Sequence, residues 1–193
     1  MLDLDRIRGD IEGTFAAVFN PPAFDAAASY AAGDRVNVSG MVWRAVTPTP
    51  GDAPVSPLWE IEGEAVALLY ENVEGSIPAN GAIRLVTSWA STEAFTIPSG
   101  RSGRWNRCSG TLTCWALTPI NRGTSAGLRI AARIRKAFLL WSNGAIGTCG
   151  AQVTMTNPDG PRSILPAAGA TFHGHVLTCS LTAIETITPA LLV

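Results

Sequence analysis

Two periodicities organise the apolar positions of this chain. Leu4, Ile7, Ile11, Phe15 and Val18 recur every three to four residues, which predicts an amphipathic helix over 3–19. Asp3 is its N-cap candidate, and Asn20-Pro21-Pro22 cannot continue it. A second helix is predicted over 124–141, where Ile130, Ile134, Phe138 and Trp141 form the apolar stripe. Thr124 stands at its start as a cap, and Gly144 follows its end. Arg129, Arg133 and Lys136 make a basic stripe along the same helix.

Period two marks the strands, expected near 66–70, 82–89, 93–97, 107–117, 148–156 and 172–184. In 107–117, Leu112, Cys114 and Ala116 alternate with Thr113, Trp115 and Leu117. Both sets are largely apolar, which predicts a central strand with helices on one side and a partner on the other. In 172–184, Leu177, Cys179, Leu181 and Ala183 share one face while Thr178, Ser180 and Thr182 share the other, the mark of a half-buried antiparallel strand. Asn157-Pro158-Asp159-Gly160-Pro161 reads as a turn, and 185–193 as a short tail without pattern. Helices grouped with strands in this way predict an α+β sandwich, a mixed or antiparallel sheet flanked by helices.

Residues 23–62 interrupt that pattern with short strands between Gly33-Asp34, Ser39-Gly40 and Gly51-Asp52 turns. They predict a small three-stranded all-β insert, leaving 1–22 and 63–193 as the main α+β domain. Tyr30, Trp43 and Trp59 are its conspicuous aromatics. They serve either as sugar-stacking faces or as the core that so small a unit needs.

Composition narrows the function classes. A charged fraction of 15% against 47% hydrophobic points to a surface partly covered by other subunits. The net charge of −1 gives no global basic footprint for nucleic acid. Met1-Leu2-Asp3-Leu4-Asp5 begins no signal peptide, and no apolar run reaches the ~18 residues of a membrane span. A cytoplasmic site of synthesis and no membrane partner are therefore expected. Cys108, Cys114, Cys149 and Cys179 include no Cys-x-x-Cys pair and read as small buried thiols.

Candidate chemistry is sparse. His173 and His175 lie two apart on one strand face without a third ligand nearby, so they read as strand histidines rather than a metal site. No nucleophile elbow, phosphate cradle or carboxylate pair is present, and neither a catalytic residue nor a cofactor is expected. The loop 98–107 carries Arg101, Arg104 and Arg107 around Trp105. It reads as a hairpin that docks on a neighbouring subunit, with Trp105 as anchor. A phosphate-contacting loop or a solvated tip are the other readings.

Several of these segments follow a familiar order. Val66-Ala67-Leu68-Leu69-Tyr70-Glu71-Asn72-Val73 is followed by Pro78 and by Ile83-Arg84-Leu85-Val86-Thr87-Ser88-Trp89. The loop Gly100-Arg101-Ser102-Gly103-Arg104, the strand to Leu117 and the long helix complete the series. This order resembles the tail-terminator-like proteins of long-tailed phages, over about two thirds of the chain. The resemblance implies a homo-oligomeric ring, commonly a hexamer, at the tail–neck junction of a virion or a phage-derived gene-transfer particle, assembled in the bacterial host cytoplasm. It implies partners in the tail tube protein and the head–tail connector or neck protein, with DNA passing through the lumen without sequence specificity. In such a ring the stripe Arg129, Arg133 and Lys136 faces the lumen or a partner. A neck adaptor or tail-tube subunit is a neighbouring role.

The insert resembles small chitin-binding-type carbohydrate modules through Tyr30-x-x-Gly33-Asp34-x-Val36, Gly40-x-x-Trp43-x-Ala45, Gly51-x-x-Pro54 and Trp59. It departs from them at Val46-Thr47-Pro48, where ligand-face aromatics are usual. A virion-borne module contacting host glycans is the reading this second resemblance implies.

Overall fold

The computed structural model describes residues 4–51, 53–54, 57–70, 77–96, 104–141, 151–164 and 170–187. The chain is α+β. Helix α1 (Leu4–Phe19) comes first, then short strands β1 (Ser29–Tyr30), β2 (Arg35–Val38), β3 (Met41–Ala45), β4 (Thr49–Pro50) and β5 (Trp59–Glu64). Strands β6 (Ala67–Leu69), β7 (Ala82–Thr96) and β8 (Arg104–Pro119) follow, then helix α2 (Gly123–Trp141), β9 (Ala151–Ile164) and β10 (Phe172–Ile187).

The large sheet has the order β6-β7-β8-β10-β9. All neighbours are antiparallel except β6 and β7, which run parallel. The last two strands exchange places because β10 pairs with β8 along its whole length and leaves β9 at the edge. β8 is thus central, as its two-sided apolar pattern requires.

One face of this sheet is covered. Ile7, Ile11, Phe15 and Phe19 of α1 and Ile130, Ile134 and Phe138 of α2 pack with Leu85, Leu112, Cys114, Leu177 and Leu181. The helices meet through aromatic rings: Phe15 lies 5.7 Å from Phe19, 6.1 Å from Phe138 and 5.0 Å from Trp141. Each such fully buried side chain contributes on the order of 1.5–3 kcal/mol.

Segment 23–62 makes its own layer. β2, β3 and β5 form a three-stranded antiparallel sheet over a separate cluster of Val36, Ala45 and Trp59, with Phe24 and Tyr30 stacked 5.6 Å apart beside it. It leaves and re-enters the main fold at adjacent points, since Val66 N donates to Phe19 O at 2.8 Å.

Four expectations change. The strands expected at 82–89 and 93–97 are one strand, β7, with an irregularity between Trp89 and Ser91. Asn157–Pro161 is not a turn but an irregular stretch inside β9, where the pairing with β10 shifts register on either side of Thr178. An edge strand tolerates prolines there because its outer N–H groups need no ladder partner. The loop read at 98–107 is shorter, because Arg104 already pairs in β8. Thr124 does not precede the helix but is an exposed residue of its first turn, after a short 3-10 turn at Ile120–Arg122. Asp3, Gly144 and Cys149 lie outside the described residues.

Candidate functional site

Strand alternation sends every second residue of the large sheet away from the helices. The registers align these outward residues in rows across β7, β8, β10 and β9. They read Ala82–Leu117–Gly174–Ile164, Arg84–Trp115–Val176–Arg162, Val86–Thr113–Thr178–Asp159 and Ser88–Thr111–Ser180–Thr156. Beyond them Ser109, Thr182 and Thr154 align in the same way. No helix among the described residues covers this face, because both pack in the core cluster on the opposite side.

The face changes character along the strands. At the end near α2's first turn it is apolar, with Leu117 buried and Trp115 and Val176 half-buried. Toward the far end it becomes a lattice of hydroxyls, and Ser88, Thr111, Ser180 and Thr156 are all exposed. Charge on the described part of this face is sparse: Arg84 and Arg162, paired with Asp159, lie in the apolar half, and the exposed Arg107 lies one row beyond Ser109 and Thr182. The signal was present in the sequence as Ser109-x-Thr111-x-Thr113, Thr154-x-Thr156 and Thr178-x-Ser180-x-Thr182. Trp115 and Leu117, which lie on the same side of β8, mask it by making that side look apolar. The outer side of β8 is therefore largely hydroxylated rather than uniformly apolar.

The other predicted residues are placed as follows. Arg101 lies outside the described residues, while Arg104 and Trp105 are paired in β8 with Ile187 and Thr186. Arg107 is exposed. The helix stripe is split. Arg129 and Lys136 are exposed, but Arg133 turns toward the insert, donates from Nη1 to Glu64 O at 2.6 Å and lies 5.1 Å from the Phe19 ring centre. Burial pulls its guanidinium down from the ordinary arginine value, and Glu62 pushes it back up. Arg133 thus joins α2 to the end of β5 and to α1, and is not part of an open stripe.

Beside it runs a cleft of about 490 Å³ between the insert and both helices. Its insert wall is an ion-pair ladder: Arg35 Nε to Glu62 at 2.6 Å, and Arg44 to Glu60 and Glu62 at 2.5 and 3.3 Å. Lys136, Ile61 and Leu140 line the remainder.

The three aromatics of the insert differ in exposure, with Trp59 enclosed and Tyr30 and Trp43 half-buried. Trp59 is 2% exposed and forms the centre of the small core, with Tyr30 edge-on to it at 5.3 Å. Tyr30 also closes its own loop, its hydroxyl accepting from Asp25 N and donating to Asp25 O. Trp43 is half-buried against the same cluster.

His175 is buried under α2, where its Nδ1 meets Ser163 Oγ at 3.2 Å; His173 is half-buried on the same face. A Cβ at Gly127 would stand 2.7 Å from the His175 ring, so the helix crosses here only because that residue is glycine. Among the described residues no group of three or more His, Cys, Asp or Glu is placed to hold a metal ion. Burial pushes the Cys179 thiol up to about 12, and burial followed by the neighbouring Cys179 pushes Cys114 well above its ordinary value. Neither is a ready nucleophile.

No family model matches this chain, and no curated protein matches it. Four solved chains match in structure. One of them, 18% identical, is covered over 82% of its length by 65% of this chain, with a TM-score of 0.44.

Proposed function

We propose that this chain is a structural assembly protein, a subunit of a tail-terminator-type ring. The ring caps a phage tail tube, ends its polymerisation and offers its other side to the head connector. The observation that carries the reading is the one-sided sheet: helices on one face, and on the other a lattice of hydroxyls whose middle rows carry no cation, with Arg84, Arg162 and Arg107 at its two ends. A ring subunit that surrounds a DNA passage needs a wall that is wetted but holds few phosphates, and a wall of hydroxyls with few cations does this. The element order strand, long hairpin and helix follows that of the family the sequence resembles. Capping is then surface complementarity, in which one ring face reproduces a tube subunit's contact and stops further addition. A glycan-binding role for the insert loses its central aromatic, because Trp59 is enclosed.

The test is the mass of the protein in solution, followed by imaging with purified tail tubes. A hexameric ring found at tube ends is the expected result. A monomer that ignores tube ends at high concentration overturns the reading. Polymerisation into tubes assigns the chain to the tube-subunit role instead.

A further inference from the structure

The proposed ring requires a contact between copies, and the large sheet offers one. We infer that copies join edge to edge, β9 of one against β7 of the next, at the end of the sheet where the hydroxyl lattice lies. This rests on the ring reading and specifies its interface.

Among the described residues, both outer edges of the sheet are closed at one end and open at the other. On the first edge, β6 pairs only with Ala82, Ile83 and Arg84, and β7 beyond Arg84 pairs among the described residues with β8 alone. On the opposite edge, Pro158 and Pro161 interrupt β9 at its helix-side end, whereas Ala151 to Thr156 runs in unbroken register with β10. Prolines close an edge because they present no N–H. The two open stretches stand at one level, since Ser88 and Thr156 terminate the same row through Thr111 and Ser180.

The open stretches carry few of the usual guards, with no lysine and no proline in either. Residues 85–96 hold one charge, Glu93, and 151–156 hold none. An edge without lysine or proline is a template for another strand. The irregularity at Trp89–Ser91 breaks the β7 edge locally and leaves pairing stretches on each side.

The geometry selects a second copy as occupant. Successive antiparallel ladders make β7 and β9 antiparallel to one another, so placing β9 of one copy beside β7 of the next continues the same ladder type. The two edges differ, so the contact is heterologous, and it closes into a ring by rotation. Because the helices fill one side of the sheet, the closed sheet turns its hydroxyl face inward.

Edge-blocking variants test this, with lysines on the solvent-facing lattice so that the core is untouched. Thr154→Lys with Thr156→Lys guards β9, and Val86→Lys with Ser88→Lys guards β7. Each double variant alone is expected to assemble at least tenfold more weakly than the parent by sedimentation. Mixed together, they are expected to give a species of two chains, since each retains one good edge. Amide exchange of the parent, followed across a dilution series, is expected to slow at 85–96 and 151–156 as copies assemble. This readout does not depend on any variant folding. Assembly without protection at these edges overturns edge pairing and leaves the ring reading standing. A parent that stays monomeric with and without tubes overturns both. Protected edges in an open filament support the pairing and overturn the ring.

Discussion

At the residue scale the thiols are the most exposed to a direct check. Cys114 and Cys179 sit diagonally on neighbouring central strands, on the face that α1 and α2 cover. Burial disfavours each thiolate, and the second sulfur adds to the effect at Cys114. Both native values lie above the ordinary one, so between about pH 9 and 12 the unfolded chain has lost protons that the native chain keeps. The unfolded state then binds fewer protons, and stability falls as pH rises. The slope approaches about 1.4 kcal/mol per pH unit for each thiol. Denaturant titrations at pH 8 and pH 10 are expected to show the parent losing stability. Cys179→Ala, although cavity-forming, is expected to show a shallower loss. Equal slopes in both proteins would remove the thiols as the cause. At neutral pH the same burial predicts that thiol reagents modify these two residues only as the protein unfolds. Cysteine burial was legible from the apolar alternation alone, whereas the split of Arg129, Arg133 and Lys136 was not. Helical spacing places three cations on one stripe, but only the insert packed against α2 decides which of them is drawn inward.

Elements were legible where both faces of a strand or helix answer to burial. β10 and α1 follow their alternation almost residue by residue, because each wrong register would move a whole apolar set into water. Edges were less legible. Pro158-Asp159-Gly160-Pro161 has turn chemistry, yet the chain continues as β9, because an edge strand is held from one side and absorbs irregularities that an inner strand cannot. The insert illustrates a different limit. Its aromatic pattern is shared by a sugar-binding surface and a miniature core, and only the enclosure of Trp59 separates them. Its ends are hydrogen-bonded neighbours at Phe19 and Val66, and its core is separate from the main one. Replacing 23–62 by a short Gly/Ser linker is therefore expected to leave a chain that still unfolds cooperatively, because closing a short loop costs little. The Arg133–Glu64 contact survives the excision, since both residues are retained. The denaturant slope should shrink with the surface removed, and circular dichroism should retain both helices. Loss of the cooperative transition would make the insert an integral part of the main core.

At the scale of the whole molecule the distribution of charge matters more than its total. The net charge of −1 is nearly neutral, but the cations are not spread evenly. Arg35, Arg44 and Arg133 are drawn into the cleft between insert and helix, and Arg122 is held by Glu64. Arg162 is matched by Asp159. The hydroxyl half of the open face keeps one exposed cation among the described residues, Arg107, at its far end. Nonspecific DNA binding comes from counterion release, and its strength follows the number of phosphates neutralised. A surface that neutralises almost none should bind duplex DNA more weakly than the ~10⁻⁴–10⁻⁶ M typical of nonspecific binders at physiological salt. Fluorescence anisotropy with a labelled duplex is expected to show no saturable binding by the purified protein in that salt. Adding lysines at Thr111 and Ser180, in the middle of the lattice, is expected to create binding that weakens steeply as salt rises. The parent and the variant separate two explanations of the bare face. If the parent already binds DNA with a steep salt dependence, the lattice is not the neutral wall of a passage, and the cations that matter lie elsewhere on the chain. If only the variant binds, the scarcity of cations in the middle of this face is a property of the fold that a passage for DNA would use.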